Sequence, residues 1–389
     1  MTDDRRPWSH WATEHDAHPY TLGVEEEVLL LEPEGWELAQ AIEEVLAAVP
    51  DRLGDRVGSE THSGAVELQT GVHENVDAAM EELGGLRRAL GEVLDGLGLA
   101  AAGAGTHPTA VWHEMQVSSR ERHQEVSGSM RALARREPTY ALHVHVGLPT
   151  GEVGLAACNR MRAHLPVLLA LSANSPFWQG RDTGLASART PLFQAFPRVG
   201  IPRAFGSYGD YVGVVDLLLA GEAFPDPTFL WWDVRPQPRF GTVEVRIMDT
   251  QSTLEDTAAL VAFVQALVRL EISEGHAQPA LVHAPEVLNE NRFLAARDGV
   301  EARLVDPTLG RSVPLADIVG DLLDACAPHA RELGCAPQLD GVRVLLEDPG
   351  AARQRRLAES DGLEGLVAAL AARFTGRAAR PEHGATASR

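Results

Sequence analysis

The chain has 389 residues, 34 basic and 55 acidic, for a formal net charge of −21. It contains no lysine, so every basic residue is arginine. This excludes a Walker A lysine, the strand lysine of protein kinases and any lysine Schiff base. The acidic balance also argues against nucleic acid or an anionic membrane as partner, since both need a basic face.

In chain order, residues 1–18 are charged and histidine-rich with no apolar stretch, and are expected to form a flexible tail rather than a signal peptide. Tyr20 to Leu31 and Gly64 to Thr70 alternate apolar and polar residues and predict strands. Asn75 to Leu99 carries its apolar residues near a 3.6 period, as a helix does. Gly103 to Pro108 is glycine-rich, but no helical pattern follows it, so it predicts a turn and not a dinucleotide site. Ala141 to Leu148 is a third strand, and Glu152 to Leu171 a helix. Thr228 to Arg235 and Gly241 to Asp249 predict a hairpin across a turn containing Pro236 and Pro238. A helix over Thr253 to Ile272 follows, with Ser252 as N-cap and Glu255 completing a capping box. Helices over Pro285 to Arg297, Leu315 to Leu333 and Gly362 to Phe374 make the last third helical, before a flexible tail at 376–389. No repeat or long linker divides the remainder, so 19–375 is expected to be a single domain. Cys158, Cys326 and Cys335 are an odd number with no CxxC, which suits buried, reduced thiols in the cytoplasm. No stretch of about 18 apolar residues offers a membrane span.

The wet faces of the strands carry the functional signal. Period-two alternation puts Glu25, Glu27, Glu67, His143, His145, Glu244 and Arg246 on the polar parity of four strands. If these strands share one sheet, the carboxylates repel one another unless cations sit among them. An oxygen-rich set with imidazole and no thiolate favours Mg²⁺ or Mn²⁺. More carboxylates than one Mg²⁺ needs point to several ions clamping a polyphosphate. Arg246 would then be the fixed cation on the phosphoryl group, a role no lysine can take here. Glu26 falls on the apolar parity and needs an arginine partner. Two other readings stay open: a hydrolase with His143 and His145 as ligands, which needs no ATP, and a non-catalytic nucleotide-binding protein.

Seven segments together resemble the YbdK-type carboxylate–amine ligases, also called glutamate–cysteine ligase type 2 proteins. They are Gly23 to Glu27, Glu60 to Thr70, His143 to Gly147, Ala173 to Trp178, Trp232 to Pro236, Gly241 to Arg246, and Glu290 to Arg292 with Ala296 to Gly299. The resemblance runs from about residue 20 to about 375. It implies an α+β, glutamine-synthetase-like fold in which an antiparallel sheet forms a funnel with helices packed on the other face. It further implies a ligase catalytic domain over 19–375 that uses ATP to join glutamate to cysteine or another amine. Carried over motif by motif, Glu25, Glu27, Glu67, His145 and Glu244 resemble the metal set, and Arg246 the phosphate-facing, catalytic arginine. Arg189, Arg235 and Arg239 are candidates for the substrate carboxylates. The expected ligands are thus small molecules, ATP and Mg²⁺ or Mn²⁺. An exposed sheet edge would favour a homodimer.

Overall fold

The computed structural model describes residues 7–13, 18–135 and 138–376. Its centre is a seven-stranded antiparallel sheet. The strands are β1 (Leu22–Leu31), β2 (Val57–Ser59), β3 (Ala65–Gln69), β4 (Ala100–Ala102), β5 (Ala141–Gly147), β8 (Val234–Gln237) and β9 (Thr242–Asp249). Two small hairpins, β6 (Phe177–Trp178) with β7 (Arg181–Asp182) and β10 (Arg303–Asp306) with β11 (Arg311–Pro314), lie outside it. The main order is β2-β3-β1-β5-β9-β8, with β4 paired to the end of β1. Both edges are blunted: β2 has three residues, and β8 carries Pro236. Such edges resist edge-to-edge pairing, which weakens the expectation of a dimer formed through them.

Alternation sorts the sheet into two faces. Leu22, Val24, Val28, Val66, Leu68, Val144, Val146, Val243 and Val245 join one core with the helices behind. The helix Leu254–Ser273 lies at the heart of that core and is apolar on nearly every side. Its N-cap is Thr253, whose side chain accepts from Asp256 N, not Ser252 as expected; the Ser252 hydroxyl instead donates to Gly103 O at 2.9 Å. Glu26 does find its arginine: Arg87 on the helix Val76–Leu97 forks onto both carboxylate oxygens at 2.8 and 2.6 Å.

The helices are not all on one side. Beyond Glu27, the same parity of β1 carries Leu29 and Leu31, which pack with Ala65, Tyr140, Leu366 and Leu370. The last helix, Gly350–Phe374, therefore closes one end of the front face, with a break at Gly362 (φ 72°) where the sequence predicted its start. The expected helix over Glu152–Leu171 is two, Gly151–Met161 and Leu165–Ser172, with Pro166 in the first turn of the second. The predicted strand over Thr228–Arg235 is also shorter. Pro227–Phe229 is a 3₁₀ turn, β8 starts at Val234, and the hairpin turns at Pro238–Phe240. All three cysteines are free and buried. Among the described residues, no helix is long and apolar enough to cross a membrane.

The N-terminal tail needs the largest correction. Residues 1–6 and 14–17 lie outside the described residues, but Pro7–Ser9 forms a 3₁₀ turn and Trp8 and Trp11 pack on Tyr211 and Tyr208. Two indoles on a tyrosine-bearing helix bury too much apolar ring to stay frayed. Of the expected C-terminal tail, all but Gly376 lies outside the described residues.

Candidate functional site

Strand register assembles the front face. Glu27 sits opposite Glu67, Glu25 opposite His143, and His145 opposite Glu244, which in turn faces Arg235. Four strands thus bring together every residue predicted for the metal set. A β-bulge in β9 gives His143 both Arg246 and Ile247 as neighbours, and it shifts the parity so that Asp249 pairs Ala141 on the imidazole side. Bulges of this kind re-aim side chains beside active sites.

The side chains form two groups that share one imidazole. Glu25, His143 and Glu244 each offer a ligand atom within 4.8 Å of the others, and so do Glu27, Glu67 and His143. His143 Nδ1 is 3.1 Å from Glu25 Oε2, and its Nε2 is 3.7 Å from Glu27 Oε1. His145 Nε2 lies 3.4 Å from Glu25 Oε1 and 3.9 Å from Glu244 Oε1, buried and without a hydrogen-bond partner. Its Nδ1 is 2.9 Å from the Thr242 hydroxyl. A ring nitrogen aimed between two carboxylates, with the other ring nitrogen held by a hydroxyl, is how a metal-ligating histidine is presented. The residues therefore fit a divalent cation. His143, which the motif reading left out of the metal set, is the shared member of both groups; its place on the polar parity of β5 was the available signal.

Electrostatics divide the site. Burial raises Glu25, but His145 and His143 outweigh it and hold its carboxyl low. Burial likewise opposes ionisation of Glu244, yet Arg235, Arg246 and His145 keep it well below the usual range. Glu27 behaves in the opposite way: burial and the charge of Glu60 push it up to about 8, against the pull of Arg189 and Arg246. Burial with Glu25, Glu60 and Glu27 raises Glu67 well above the ordinary value. The Glu27–Glu67 end is thus short of positive charge. Glu60, not singled out from the sequence, adds to that shortage.

Of the arginines, Arg246 is central. Its Nη1 donates to Glu244 Oε1 and lies 3.4 Å from His143 Nδ1, while its buried Nε has no partner. Arg235 is not available for a substrate carboxylate as expected. It forks onto Glu244 at 2.6 and 3.2 Å, and its Nη1 donates to the carbonyls of Thr228 and Leu230. Its work is to hold Glu244. Arg189 is buried too, donating to the carbonyls of Ile247 (3.1 Å) and Arg246 (3.3 Å) beside Asp249, so it braces the bulge rather than facing open solvent. Arg239 differs: it is exposed, stacks 5.5 Å from the Phe240 ring and lines a cleft of about 520 Å³ beside Glu25 and His145.

Several remaining motif residues are scaffold. Arg292 forks onto Asp233 at 2.6 and 3.3 Å, joining two of the recognised segments. Asn174 donates to Thr250 O at 2.8 Å, and its backbone N–H donates to Asp249 at 2.9 Å. The glycine loop is a spacing device: Gly103 and Gly105 leave room for the Gln251 carbonyl and the Asp249 side chain. Asn291 exchanges two hydrogen bonds with Val305, fixing its helix to β10.

Comparison with known proteins bears on the family and the fold. Residues 21–383 match the model of glutamate–cysteine ligase family 2. A Rubrobacter xylanophilus protein, provisionally named glutamate–cysteine ligase 2-1, is 38% identical over 88% of this chain and 91% of its own. One from Jannaschia sp., provisionally named glutamate–cysteine ligase 2, is 37% identical over 88% and 90%. Among solved structures, glutamate–cysteine ligase from Francisella tularensis in complex with AMP superposes with a TM-score of 0.67 at 15% identity, covering 92% of this chain and 89% of its own. A bifunctional glutathione synthetase from Pasteurella multocida gives 0.63 at 16% identity, over 92% and 52%. At those identities the two structures speak for the α+β fold alone, while the family match spans nearly the whole sheet and helical layer: the chain belongs to glutamate–cysteine ligase family 2.

Proposed function

We propose that the chain is an ATP-dependent ligase that joins the γ-carboxylate of glutamate to the amine of cysteine, releasing ADP and phosphate. The observation that supports this most directly is Arg246, set among two acid–imidazole groups on one sheet face. A carboxylate is a poor acyl donor. Attack of its oxygen on the γ-phosphorus of ATP, with the bond to ADP breaking, gives an acyl phosphate. The amine then attacks the carbonyl carbon, loses a proton, and phosphate leaves. No protein nucleophile is required.

Glu25, Glu244 and His145 would hold one divalent cation and Glu27 and Glu67 a second, with the single lone pair of a neutral His143 offered to one of the two. The oxygen-rich set suits Mg²⁺ or Mn²⁺. When bound, such ions neutralise charge between phosphate and carboxylate. Arg246 supplies a fixed cation where charge builds on the phosphoryl group. Arg235 keeps Glu244 ionised and oriented. The 520 Å³ cleft beside Glu25 and His145 takes the nucleotide: Arg239 offers a cation to phosphate, and the exposed Val72 and Phe240 offer apolar surface to a base. The three buried thiols suit the cytoplasm.

The test is turnover of ATP and glutamate against a panel of amines, with products read by mass spectrometry. γ-Glutamylcysteine with ADP is expected. Turnover only with another amine keeps the ligase class and changes the acceptor. AMP with pyrophosphate overturns the acyl phosphate, and full activity in rigorously metal-free protein overturns the metal assignment.

A further inference from the structure

The segment ahead of the family match, which begins at residue 21, is tied to the turn that lines the nucleotide cleft. The Ala12 N–H donates to Pro238 O at 2.9 Å. The Trp11 indole N–H donates to Leu148 O at 2.7 Å, and the Leu148 N–H donates to Gly241 O at 2.9 Å. The Pro238–Phe240 turn is therefore held near both its ends, once directly and once through Leu148. The segment is itself well anchored. Trp11 packs edge-on against Tyr208 at 5.9 Å, and Trp8 against Tyr211 at 6.0 Å. Trp8 Nε1 donates to Asp216 at 3.0 Å, and the Tyr208 hydroxyl donates to Ser9 O at 2.8 Å. The Trp11 ring fills the space that Gly154 leaves by lacking a side chain; a Cβ there would collide with it.

That turn is three residues long, ends on Gly241 in the left-handed region (φ 64°), and presents Arg239 and Phe240 to the cleft. Arg239 lies over the Phe240 ring at 5.5 Å and that ring meets His145 edge-on at 5.8 Å, so the pair keeps this arrangement while the backbone beneath it stays in place. Otherwise binding must order them and loses affinity. We infer that Trp11 is a positioning residue: the Pro7–Ala12 segment acts as a strap that sets Arg239 and Phe240 for the nucleotide, beyond the part of the chain the family defines. This rests on the nucleotide reading of the cleft.

Two substitutions in the 389-residue chain test it. Gly154→Ala puts a methyl where the Trp11 ring lies, within the helix Gly151–Met161, which tolerates alanine better than glycine. Trp11→Ala removes the ring outright. MgATP binding is followed by calorimetry, Mn²⁺ binding by paramagnetic resonance, and kcat at saturating ATP. Both variants are expected to raise the Kd for MgATP by about three- to tenfold, the range a lost hydrogen bond gives. Mn²⁺ affinity and saturated kcat should stay at the wild-type level. If Trp11→Ala does not fold, Gly154→Ala decides. Wild-type MgATP affinity in Gly154→Ala overturns the inference, as does an equal loss of Mn²⁺ and MgATP affinity, which reports general loosening. A wild-type chain that fails to bind MgATP overturns the nucleotide reading itself and the inference with it.

Discussion

On β1, Glu26 turns to the helices while Glu25 and Glu27 turn to the opposite face, as alternation requires. Behind the sheet, Glu26 is fully buried. Both its oxygens are taken by Arg87, and the Thr257 hydroxyl donates to one of them at 2.8 Å. Charge there is matched one for one and closed. In front, Glu25, Glu27, Glu67 and Glu244 meet Arg235 and Arg246, and both arginines lie on Glu244. The Glu27–Glu67 end is left to raise its own pKa values. One face is complete as folded, while the other is short of cations in the way a site awaiting metal and phosphate is.

The sharpest way to break this contrast is at Arg87. Arg87→Met leaves Glu26 buried without its partner, and loss of one member of a buried pair costs about 3–5 kcal/mol. Urea unfolding should record that loss, with Mn²⁺ affinity of the folded variant unchanged. On the other face, Glu27→Gln should weaken Mn²⁺ and ATP binding with no comparable loss of stability. A large fall in melting temperature with ATP affinity intact would show both faces to be structural.

Arg246 comes next. Its guanidinium has one contact on Glu244 and a buried Nε with no partner in the folded protein. Arg246→Ala is expected to lower kcat by about 10²–10³, the usual cost of one charge-stabilising donor, and by more than it raises the KM for ATP. Arg246→Lys should recover little, since an ammonium lacks the guanidinium fork. If Arg246 merely neutralises its neighbours, excess Mg²⁺ will restore kcat.

Much of this contrast was legible from period-two alternation alone. It assigned Glu25, Glu27, Glu67, His145 and Glu244 to one face, and it marked Glu26 as the exception needing an arginine. What alternation could not carry was any change of parity or any partner distant in sequence. The bulge in β9 brings Asp249 to the imidazole side and gives His143 two neighbours, and no residue type in Gly241 to Asp249 announces it. Arg235 and Arg189 were charge without direction: only the register and the carbonyls around them show that they serve Glu244 and the bulge. Trp8 and Trp11 were hidden by their charged surroundings, and their Tyr208–Tyr211 platform lies about 200 residues away.

A pH titration of metal-free protein sharpens the contrast further. Burial first, then Glu60, raises Glu27 from 4.5 to about 8 in the fold. Between those values the folded chain holds a proton that the unfolded chain has released. His62, His107 and His143, which burial holds near 4, act in the opposite sense up to about 6.5, so the metal-free protein should lose stability as pH rises from about 6.5 to 8, by up to about 1.4 kcal/mol per pH unit for one proton. Glu67, shifted in the same direction, adds to the slope. Melting temperatures in chelator and in Mg²⁺ check this. With Mg²⁺ the slope should flatten, because a bound cation favours the ionised form, and Glu27→Gln should flatten it without metal. Stability that rises with pH over this range in chelator would refute the assignment of the front face as cation-poor.

The smallest effect tests how finely the front face is set. Thr242 lies on β9 two residues before Glu244, on the same parity, with its hydroxyl 2.9 Å from His145 Nδ1. In metal-free protein the carboxylates of Glu244 and Glu25 outweigh burial and raise the His145 pKa, so the ring tends to keep its proton. A cation must displace that proton from Nε2, and the ring is ready to ligate only while Nδ1–H has an acceptor. Thr242 supplies that acceptor. Thr242→Val keeps the shape and removes the oxygen, and loss of such a partner typically lowers metal affinity by about 10–100-fold. Thr242→Ser restores the oxygen and should recover most of it. Mn²⁺ titrations followed by paramagnetic resonance distinguish the two variants, and repeating them at higher pH adds a second check. Raising pH removes the competing proton, but the neutral ring still needs an acceptor for Nδ1–H, so the Thr242→Val defect should persist at higher pH. A defect of equal size in Thr242→Ser, or one that vanishes at higher pH, would mean that Thr242 does not orient the ligating ring of His145.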